Sequence, residues 1–394
     1  MIDSKTFISE LDDELRNHIL PWWLNKMTDQ ERGGYYGRID GNDNLVKEAP
    51  KGSVLNARIL WTYSAAFQHY RVSGYQVAAE RAKNYILRYF IDKANGGAYW
   101  LLDYSGKPLD SKKQIYAQAF MIYGLSEYYK SFKDPEILNT AIDFYHAIEE
   151  HGFDPEKNGY FEAYDLTWNL LSDLRLSEKE INEKKTMNTH LHILEAYAAL
   201  YRLWPDRGLR KQLVNLLELF FNNILDQSFH FRLFFNEDWE SKSSKVSFGH
   251  DIEGSWLMCE AAESIGDPAI RHRAEEVALK MVDAIIKEGI GPDGSLYNET
   301  EHGQLDDDRH WWPQAELMVG LVNAYQLSGN SSYLEAAMRA WTYIKSTIID
   351  KKNGEWFYRV SRDGLPYREE DKAGIWKCPY HNTRACLEVM NRLG

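Results

Sequence analysis

Two kinds of helical pattern alternate along the chain. In the first kind, apolar residues recur every three or four positions and leave one polar face, as in residues 6–22 and 76–90. The second kind is apolar nearly all round and rich in aromatic residues, as in the segment that begins near Leu55. Helices with a polar face belong on the outside of a fold, and helices that are apolar on every face belong inside. The pattern therefore predicts an outer and an inner set of helices.

Both patterns recur six times, which predicts twelve helices. The outer set covers residues 6–22, 76–90, 136–149, 210–225, 270–286 and 333–348, and the inner set begins near Leu55, Tyr116, Met187, His250, Trp311 and Tyr380.

Glycine turns followed by aromatic residues separate each outer helix from the next inner helix. A degenerate sixth copy is expected around residues 229–231, because the spacing of about 60 residues doubles once along the chain. The recognisable copies lie at Gly34, Gly97, Gly159, Gly294 and Gly354. A fixed period of this size is typical of repeat folds, in which no unit can bury its apolar face alone.

Six helical pairs predict an all-α fold, a closed (α/α)6 barrel, or six-hairpin toroid, with short β-type hairpin loops. We expect residues 1–394 to form this barrel as a single domain. An open solenoid of six pairs is the alternative. The lack of a distinctly polar capping repeat at either end favours the closed form.

Composition and charge narrow the class of partner. The 394-residue chain is 44% hydrophobic and 27% charged, as expected for a globular protein. Its net charge of −13 and the lack of a basic run disfavour nucleic acid and anionic membranes. We expect no signal peptide and no membrane span. Cys259, Cys378 and Cys386 show no C-x-x-C spacing, which favours a reducing compartment and a cytoplasmic protein.

Polar and aromatic residues collect at the starts of the predicted inner helices. In an alternating toroid all inner helices run in the same direction, so these starts meet around one pocket. The 13 Trp and 25 Tyr residues of the chain favour a sugar as the ligand, since aromatic rings stack on sugar faces. The residues concerned are Arg58, Tyr116, Gln118, Asn188, His190, His192, His250, Glu253, Trp311, Trp312, Glu316, Trp376 and His381.

Histidine and arginine at these positions indicate proton transfer at a carbon atom. Such chemistry needs a base with a pKa near neutrality, an acid on the opposite face and a cation for the developing enolate oxygen. His250, His381 and Arg58 supply these groups. Glu253 follows His250 by three residues, one turn along the same helix face, and is expected to hold its imidazole.

Three other interpretations stay open at this point. Metal binding by His190 and His192 with His250 is disfavoured, because residues two apart on a helix point to different faces, and we expect no metal. Glycoside hydrolysis would use Glu253 with Glu316 or Asp251 as its two carboxylates. A non-catalytic sugar-binding module would keep the tryptophans but has no use for paired histidines.

Six segments together carry a family resemblance. They are residues 33–37 (GGYYG), 56–61 (NARILW), 185–192 (KTMNTHLH), 249–253 (GHDIE), 311–316 (WWPQAE) and 376–382 (WKCPYHN). In this order the chain resembles the cellobiose 2-epimerases of the N-acylglucosamine 2-epimerase superfamily. The resemblance implies an (α/α)6 barrel and reversible inversion at C2 of the reducing-end glucose of a β-1,4-linked disaccharide, such as cellobiose, lactose or mannobiose. It also implies a monomer that needs no cofactor, with a role in mannan degradation.

The resemblance also implies roles for individual residues. His250 and His381 would act as acid and base through a cis-enediolate, and Arg58 and His192 would hold the O1 and O2 region of the open-chain sugar. The sugar subsites would be lined by Tyr116, Asn188, Trp311, Trp312, Glu316 and Trp376. Enzymes of the same superfamily that act on monosaccharides, N-acylglucosamine 2-epimerase and mannose isomerase, are the alternative. Trp376 favours a disaccharide, since it offers a further aromatic platform.

Overall fold

The computed structural model describes residues 3–394, and its secondary structure is mostly helical. Thirteen α-helices follow in chain order: α1 (Ser4–Asp13), α2 (Leu20–Met27), α3 (Ser53–Tyr70), α4 (Ser73–Tyr85), α5 (Ile115–Phe132), α6 (Pro135–Ala147), α7 (Met187–Tyr201), α8 (Arg207–Leu219), α9 (Phe248–Ile265), α10 (Pro268–Glu288), α11 (Trp311–Ser328), α12 (Ser331–Tyr343) and α13 (Tyr380–Leu393). No helix within these residues is both long enough and apolar enough to pass through a bilayer.

Short π-helical segments join or extend the outer helices at five places. One joins α1 to α2, and the others continue α4, α6, α8 and α12. They are Glu14–Ile19, Ile86–Phe90, Ile148–Gly152, Phe220–Ile224 and Ile344–Ile348.

The inner helices form a closed ring. Helices α3, α5, α7, α9, α11 and α13 pack side by side in this order, and α13 returns to pack on α3. The two ends of the chain are also tied together, since Trp23 Nε1 donates to Glu355 Oε2 (2.7 Å) and Trp356 Nε1 donates to Glu14 Oε1 (2.9 Å). The prediction of a closed (α/α)6 barrel is confirmed, and the open solenoid is excluded.

The outer helices cover the ring with one apolar face each. Helix α8 shows the pattern, because Leu209, Leu213 and Leu216 are fully buried at a spacing of three and four residues while the intervening positions are partly or fully exposed. Helices of the inner set are buried on almost all sides, as in α3. The division into inner and outer helices therefore follows the hydrophobic pattern of the sequence.

Twelve short strands lie in the connections, and all their pairings are antiparallel. A strand that leads into an inner helix pairs with a strand of the next repeat, as β1 with β2 and β4 with β5. The strands are β1 (Lys51–Gly52), β2 (Leu101–Leu102), β3 (Pro108–Asp110), β4 (Lys113–Gln114), β5 (Ala163–Tyr164), β6 (Lys185–Thr186), β7 (Phe234–Phe235), β8 (Val246–Ser247), β9 (Glu299–Glu301), β10 (Gln304–Asp306), β11 (Arg309–His310) and β12 (Arg359–Val360).

The predicted degenerate repeat is present at residues 229–231. Leu225 and Phe231 form the same kind of antiparallel bridge that Ile290 and Leu296 form in the following repeat. Phe229, with φ of 67°, takes the left-handed conformation that glycine takes in other copies. The repeat therefore survives without its glycine.

Side chains from the inner helices fix these turns at one end of the barrel. In four repeats, a side chain in the first turn of the inner helix accepts a hydrogen bond from a backbone N–H of the preceding turn. The pairs are Gln118 with Ala98, His190 with Tyr160, Asp251 with Phe231, and Gln314 with Leu296.

Buried lysine–aspartate pairs repeat around the same end of the barrel. Each joins the aspartate of a turn to a lysine close to an inner helix, and all members are almost inaccessible to solvent. The Nζ–Oδ2 distances are 2.8 Å for Lys51–Asp29, 2.8 Å for Lys113–Asp92, 2.7 Å for Lys185–Asp154 and 2.5 Å for Lys372–Asp350. The loops that surround the mouth of the barrel are therefore anchored.

Candidate active site

The N-terminal ends of the inner helices surround a cavity of about 490 Å³. Ten of the eleven predicted site residues line it, although they come from six separate segments of the chain. They are Arg58, Tyr116, Asn188, His192, His250, Glu253, Trp311, Trp312, Trp376 and His381. The eleventh, Glu316, is fully buried behind the cavity wall.

His381 stands in the first turn of α13, and its imidazole is held from behind by a carboxylate. Its Nδ1 lies 2.7 Å from Oε1 of Glu316 and 3.8 Å from Oε1 of Glu253. This contact leaves Nε2 as the nitrogen that exchanges a proton with a ligand. Burial, together with the positive charges of Arg58 and Arg384, holds the pKa of His381 well below its usual value. A neutral imidazole is a competent base.

His250 stands in the first turn of α9 and borders the same cavity. Its Nδ1 lies 2.8 Å from Oγ of Ser247, the residue just before the helix. Burial lowers the pKa of His250 to about 3, with a smaller contribution from His192. The ring of Trp312 lies beside both histidines, with centroids 4.7 Å from His250 and 5.6 Å from His381.

The prediction that Glu253 holds His250 is wrong. The carboxylate of Glu253 accepts a hydrogen bond from Arg384 Nη2 at 2.5 Å, and its Oε1 lies 3.8 Å from Nδ1 of His381. The guanidinium of Arg384, buried in the middle of the barrel, draws the carboxylate away from the imidazole one turn earlier. Ser247 takes its place, and its position directly before the helix was the only signal in the sequence.

Glu316 also differs from its predicted role as a group that lines the sugar subsites. Its carboxylate accepts hydrogen bonds from Arg384 Nη2 (2.6 Å) and Trp256 Nε1 (3.1 Å), besides its contact with His381. These partners hold it behind the histidine, where it does not border the cavity. Glu316 therefore has the position expected for orienting an imidazole.

Arg58 meets aromatic and sulfur groups in place of the carboxylate that a buried charge usually requires. Its Nη2 donates to the hydroxyl of Tyr116 at 2.9 Å, its Nη1 lies 3.7 Å from Cys378 Sγ, and its guanidinium lies 4.2 Å from the ring centroid of Phe120. Because no carboxylate of residues 3–394 forms an ion pair with it, its charge is free to stabilise an anionic oxygen in the cavity.

His192 lies next to this arginine and is backed by a different glutamate. Its Nδ1 is 2.9 Å from Oε2 of Glu195, one turn further along α7. Its ring meets the edge of Tyr116 at a centroid distance of 5.1 Å. His192 and His381 thus share one arrangement, in which a buried glutamate holds Nδ1 and the ring faces the cavity.

Three buried polar atoms around the cavity have no hydrogen-bond partner within residues 3–394. They are Nε of Arg58, Oδ1 of Asn188 and Nε1 of Trp311. Buried polar atoms rarely stay without a partner, so a ligand rich in hydroxyl groups suits this wall. Trp376, which packs on Trp100 at a centroid distance of 5.8 Å, adds an aromatic surface.

The geometry of the carboxylates does not suit glycoside hydrolysis. Glu253 lines the cavity, Glu316 lies behind its wall, and both bind the same guanidinium nitrogen, whereas a hydrolase needs carboxylates on both sides of the scissile bond. Asp251 points into the preceding turn, where it contacts His230 at 2.7 Å and accepts from the Phe231 N–H at 2.8 Å.

Glu253, Glu316 and His381 form a polar cluster whose cation is the guanidinium of Arg384. One ligand atom each of Glu253, Glu316 and His381 lie within 4.8 Å of one another, which is close enough for a metal ion. The guanidinium of Arg384 contacts both carboxylates from that cluster. His190 is engaged elsewhere, since its Nδ1 donates to the Thr186 carbonyl at 2.7 Å and its Nε2 accepts from Tyr160.

Two parts of the cavity wall were not predicted from the sequence. Residues 176–180, in the long connection before α7, and Tyr358 both border the cavity. The 176–180 segment has no helical or strand periodicity, and Tyr358 is one of 25 tyrosines. Neither carried a signal that would separate it from other loop residues.

Comparison with known proteins supports one family. A family model for N-acylglucosamine 2-epimerase (GlcNAc 2-epimerase) matches residues 34–385. The chain is 49% identical over 384 residues to the cellobiose 2-epimerase of Bacteroides fragilis, and the alignment covers 97% of this chain and 98% of that protein. It is 38% identical over 396 residues to the cellobiose 2-epimerase of Dictyoglomus turgidum, and that alignment covers 100% of both chains. The solved structure of cellobiose 2-epimerase from Bacillus thermoamylovorans has a TM-score of 0.95 at 42% identity, over 98% of this chain and 100% of that one.

Proposed function

The chain belongs to the N-acylglucosamine 2-epimerase family and is a carbohydrate epimerase, and from this premise we propose that it acts on disaccharides. The reaction is the reversible inversion of C2 in the reducing-end glucose of β-1,4-linked disaccharides such as cellobiose, lactose and mannobiose. Cellobiose and lactose give products that carry mannose in place of that glucose, whereas mannobiose, which ends in mannose, is converted in the reverse sense to mannosyl-glucose. Residues 1–394 act as one catalytic domain, as a cytoplasmic monomer, and activity on mannobiose would serve mannan degradation.

One observation carries this proposal: two histidines from different inner helices face one aromatic-walled cavity. His250 comes from α9 and His381 from α13, and Trp312 contacts both rings. Inversion at a carbon needs one group to remove a proton and another to return it on the opposite face. The cavity volume of about 490 Å³ is within the range of small-molecule sites.

The reaction begins with opening of the reducing-end ring, because the free aldehyde makes the C2 proton acidic. Nε2 of one histidine removes that proton, and the electron pair of the C2–H bond forms the cis-enediolate. Arg58 and His192 stabilise the negative charge that develops on the oxygen at C1. The other histidine, which carries a proton, then delivers it to C2 from the opposite face.

The pair of histidines therefore holds one proton in total during each turnover. Glu316 holds Nδ1 of His381 and Ser247 holds Nδ1 of His250, which leaves Nε2 of each ring for the transfer of that proton. Delivery of the proton to C1 in place of C2 would give a ketose. We therefore expect slow isomerisation, such as lactose to lactulose, as a side reaction.

Product analysis tests the choice of substrate. Cellobiose, lactose, mannobiose, glucose and N-acetylglucosamine are each incubated with the enzyme, with and without a chelator, and followed by proton NMR. The proposal predicts a new anomeric signal from the disaccharides alone, mannose-type from cellobiose and lactose and glucose-type from mannobiose, unchanged by the chelator. Conversion of the monosaccharides alone would assign the enzyme to a monosaccharide activity of the same family.

A further inference from the structure

Arg384 is a fully buried cation next to the candidate site, and the proton-transfer steps make no use of it. It lies on α13, one turn after His381, and is 1% exposed. It does not border the cavity. Any effect of Arg384 on catalysis must therefore act through its neighbours.

Three glutamates from three different inner helices share this guanidinium. Nη2 donates to Oε1 of Glu253 (2.5 Å) and to Oε1 of Glu316 (2.6 Å), and Nη1 donates to Oε1 of Glu195. The hydroxyl of Tyr380 contacts both Nη1 and Glu195. The planar guanidinium thus links α7, α9 and α11 to α13 at the centre of the barrel.

Two of these glutamates each hold a histidine of the cavity wall. Glu195 contacts His192 Nδ1 through its second oxygen, Oε2, at 2.9 Å, and Glu316 contacts His381 Nδ1 through Oε1 at 2.7 Å. The bond at Nδ1 fixes the tautomer and the orientation of an imidazole.

We propose that Arg384 is a positioning residue that fixes the carboxylates of Glu195 and Glu316 and so couples His192 to His381. The inference rests on the proposed function, in which His192 stabilises the enediolate and His381 moves the proton. The two histidines come from different helices, and Arg384 joins their supports through a single side chain. Their relative placement then depends on one guanidinium.

The surroundings of Arg384 favour the charged form of Glu195 but not that of Glu253 or Glu316. Burial would raise the pKa of Glu195, but Arg384 and His192 hold that pKa at about 2, so Glu195 is an anion. Burial, together with the neighbouring carboxylate of Glu316, raises the pKa of Glu253 to about 7. Burial likewise raises the pKa of Glu316, against the effect of Arg384. His192 therefore faces a full negative charge, whereas burial works against the negative charge of the carboxylate pair beside His381.

The first test replaces Arg384 by lysine, which keeps the charge but cannot reach three carboxylates at once. We expect kcat to fall about 100-fold, the effect of misplacing a catalytic group by roughly 1 Å, with KM changed less than about twofold. Arg392→Lys is the matched control on the same helix, since Arg392 bridges Glu260 and Glu388. The control variant should keep the wild-type kcat.

The second test measures the coupling without measuring activity. In ¹⁵N-histidine-labelled protein, the Nδ1–H signals of His192 and His381 are assigned by their loss in His192→Gln and His381→Gln. Glu195→Gln should shift the signal of His381 as well as that of His192, although Glu195 contacts only the latter. This readout also decides the question if Arg384→Lys does not fold.

The outcomes separate the two proposals. A His381 signal that ignores Glu195→Gln, or equal losses of kcat in Arg384→Lys and Arg392→Lys, would overturn the role of Arg384. Wild-type enzyme that converts no disaccharide would instead overturn the proposed function, while the NMR experiment would still report the coupling.

Discussion

His190 and His192 show how position on one helix separates a structural histidine from a candidate functional one. They are two residues apart on α7 and face different sides, as the helical period requires. His192 borders the cavity, whereas His190 is held between the Thr186 carbonyl and the Tyr160 N–H. Because one partner only accepts and the other only donates, His190 must be neutral in the folded protein.

Replacing His190 with glutamine should remove part of the acid sensitivity of the fold. Burial lowers the pKa of His190 to about 4, below the value of about 6.5 expected in the unfolded chain. The unfolded state therefore binds the proton first, and the wild-type protein loses stability as the pH falls from about 6.5 towards 4. At pH 5 the loss is about 2 kcal/mol relative to neutral pH. Urea unfolding at pH 7.5 and pH 5 measures it.

Glutamine is a suitable replacement because Gln118 and Gln314 occupy the matching positions in other repeats and accept from the same kind of backbone N–H. At pH 7.5 we expect His190→Gln and the wild type to differ by less than about 1 kcal/mol. At pH 5 the difference should move by about 2 kcal/mol in favour of the variant. An identical difference at both pH values would show that His190 does not titrate on unfolding.

Residue-scale contacts were the part of the site that the sequence predicted least well. The i, i+3 spacing of His250 and Glu253 was correct, but it could not reveal that Arg384 would compete for the carboxylate. Glu316 was predicted among the polar residues at the starts of the inner helices, yet its place behind His381 depends on a contact between residues of two different helices. Local spacing predicts which residues share a face, whereas tertiary neighbours decide which of them meet.

Buried ion pairs stabilise the connections between helices. Lys185 and Asp154 join β6 to the turn that follows the third outer helix, and both side chains are nearly inaccessible. Lys157 and Asp238 form a pair of the same length, 2.7 Å, but about half of each side chain is exposed. The two pairs allow burial to be varied while the chemistry stays the same.

Asp154→Asn should destabilise the protein far more than Asp238→Asn. The first change leaves the ammonium group of Lys185 buried without its counter-charge, which costs about 3–5 kcal/mol. The second removes a solvent-screened pair, which is worth less than about 1 kcal/mol. Denaturant unfolding of both variants measures the difference. Equal effects would mean that the buried pair does not anchor the turn.

Helices were predicted better than strands because their signal is longer. The inner helices begin within two residues of the predicted positions, since apolar periodicity over many residues averages out local exceptions. The strands have only two or three residues each, too few for an alternating pattern to show. The sequence therefore predicted hairpin-like turns, but not which strands pair.

At the scale of the whole molecule, the repeat explains why scattered residues form one site. Six helices that run in the same direction around a ring bring their N-termini to one end, so the position of the cavity followed from the repeat alone. Closure of the ring was predicted from the lack of a polar capping repeat, but the contacts that complete it, such as that of Trp23 with Glu355, were not. Local patterns contain no information about such distant pairs.

The central claim is that His250 and His381 exchange the C2 proton, and deuterium incorporation at C2 of cellobiose in D2O tests it most directly. His250→Ala and His381→Ala should each lower the rate of incorporation about 10²- to 10⁴-fold, while His190→Gln, which alters a buried histidine outside the cavity, should keep the wild-type rate. Incorporation at the wild-type rate by either alanine variant would contradict the account.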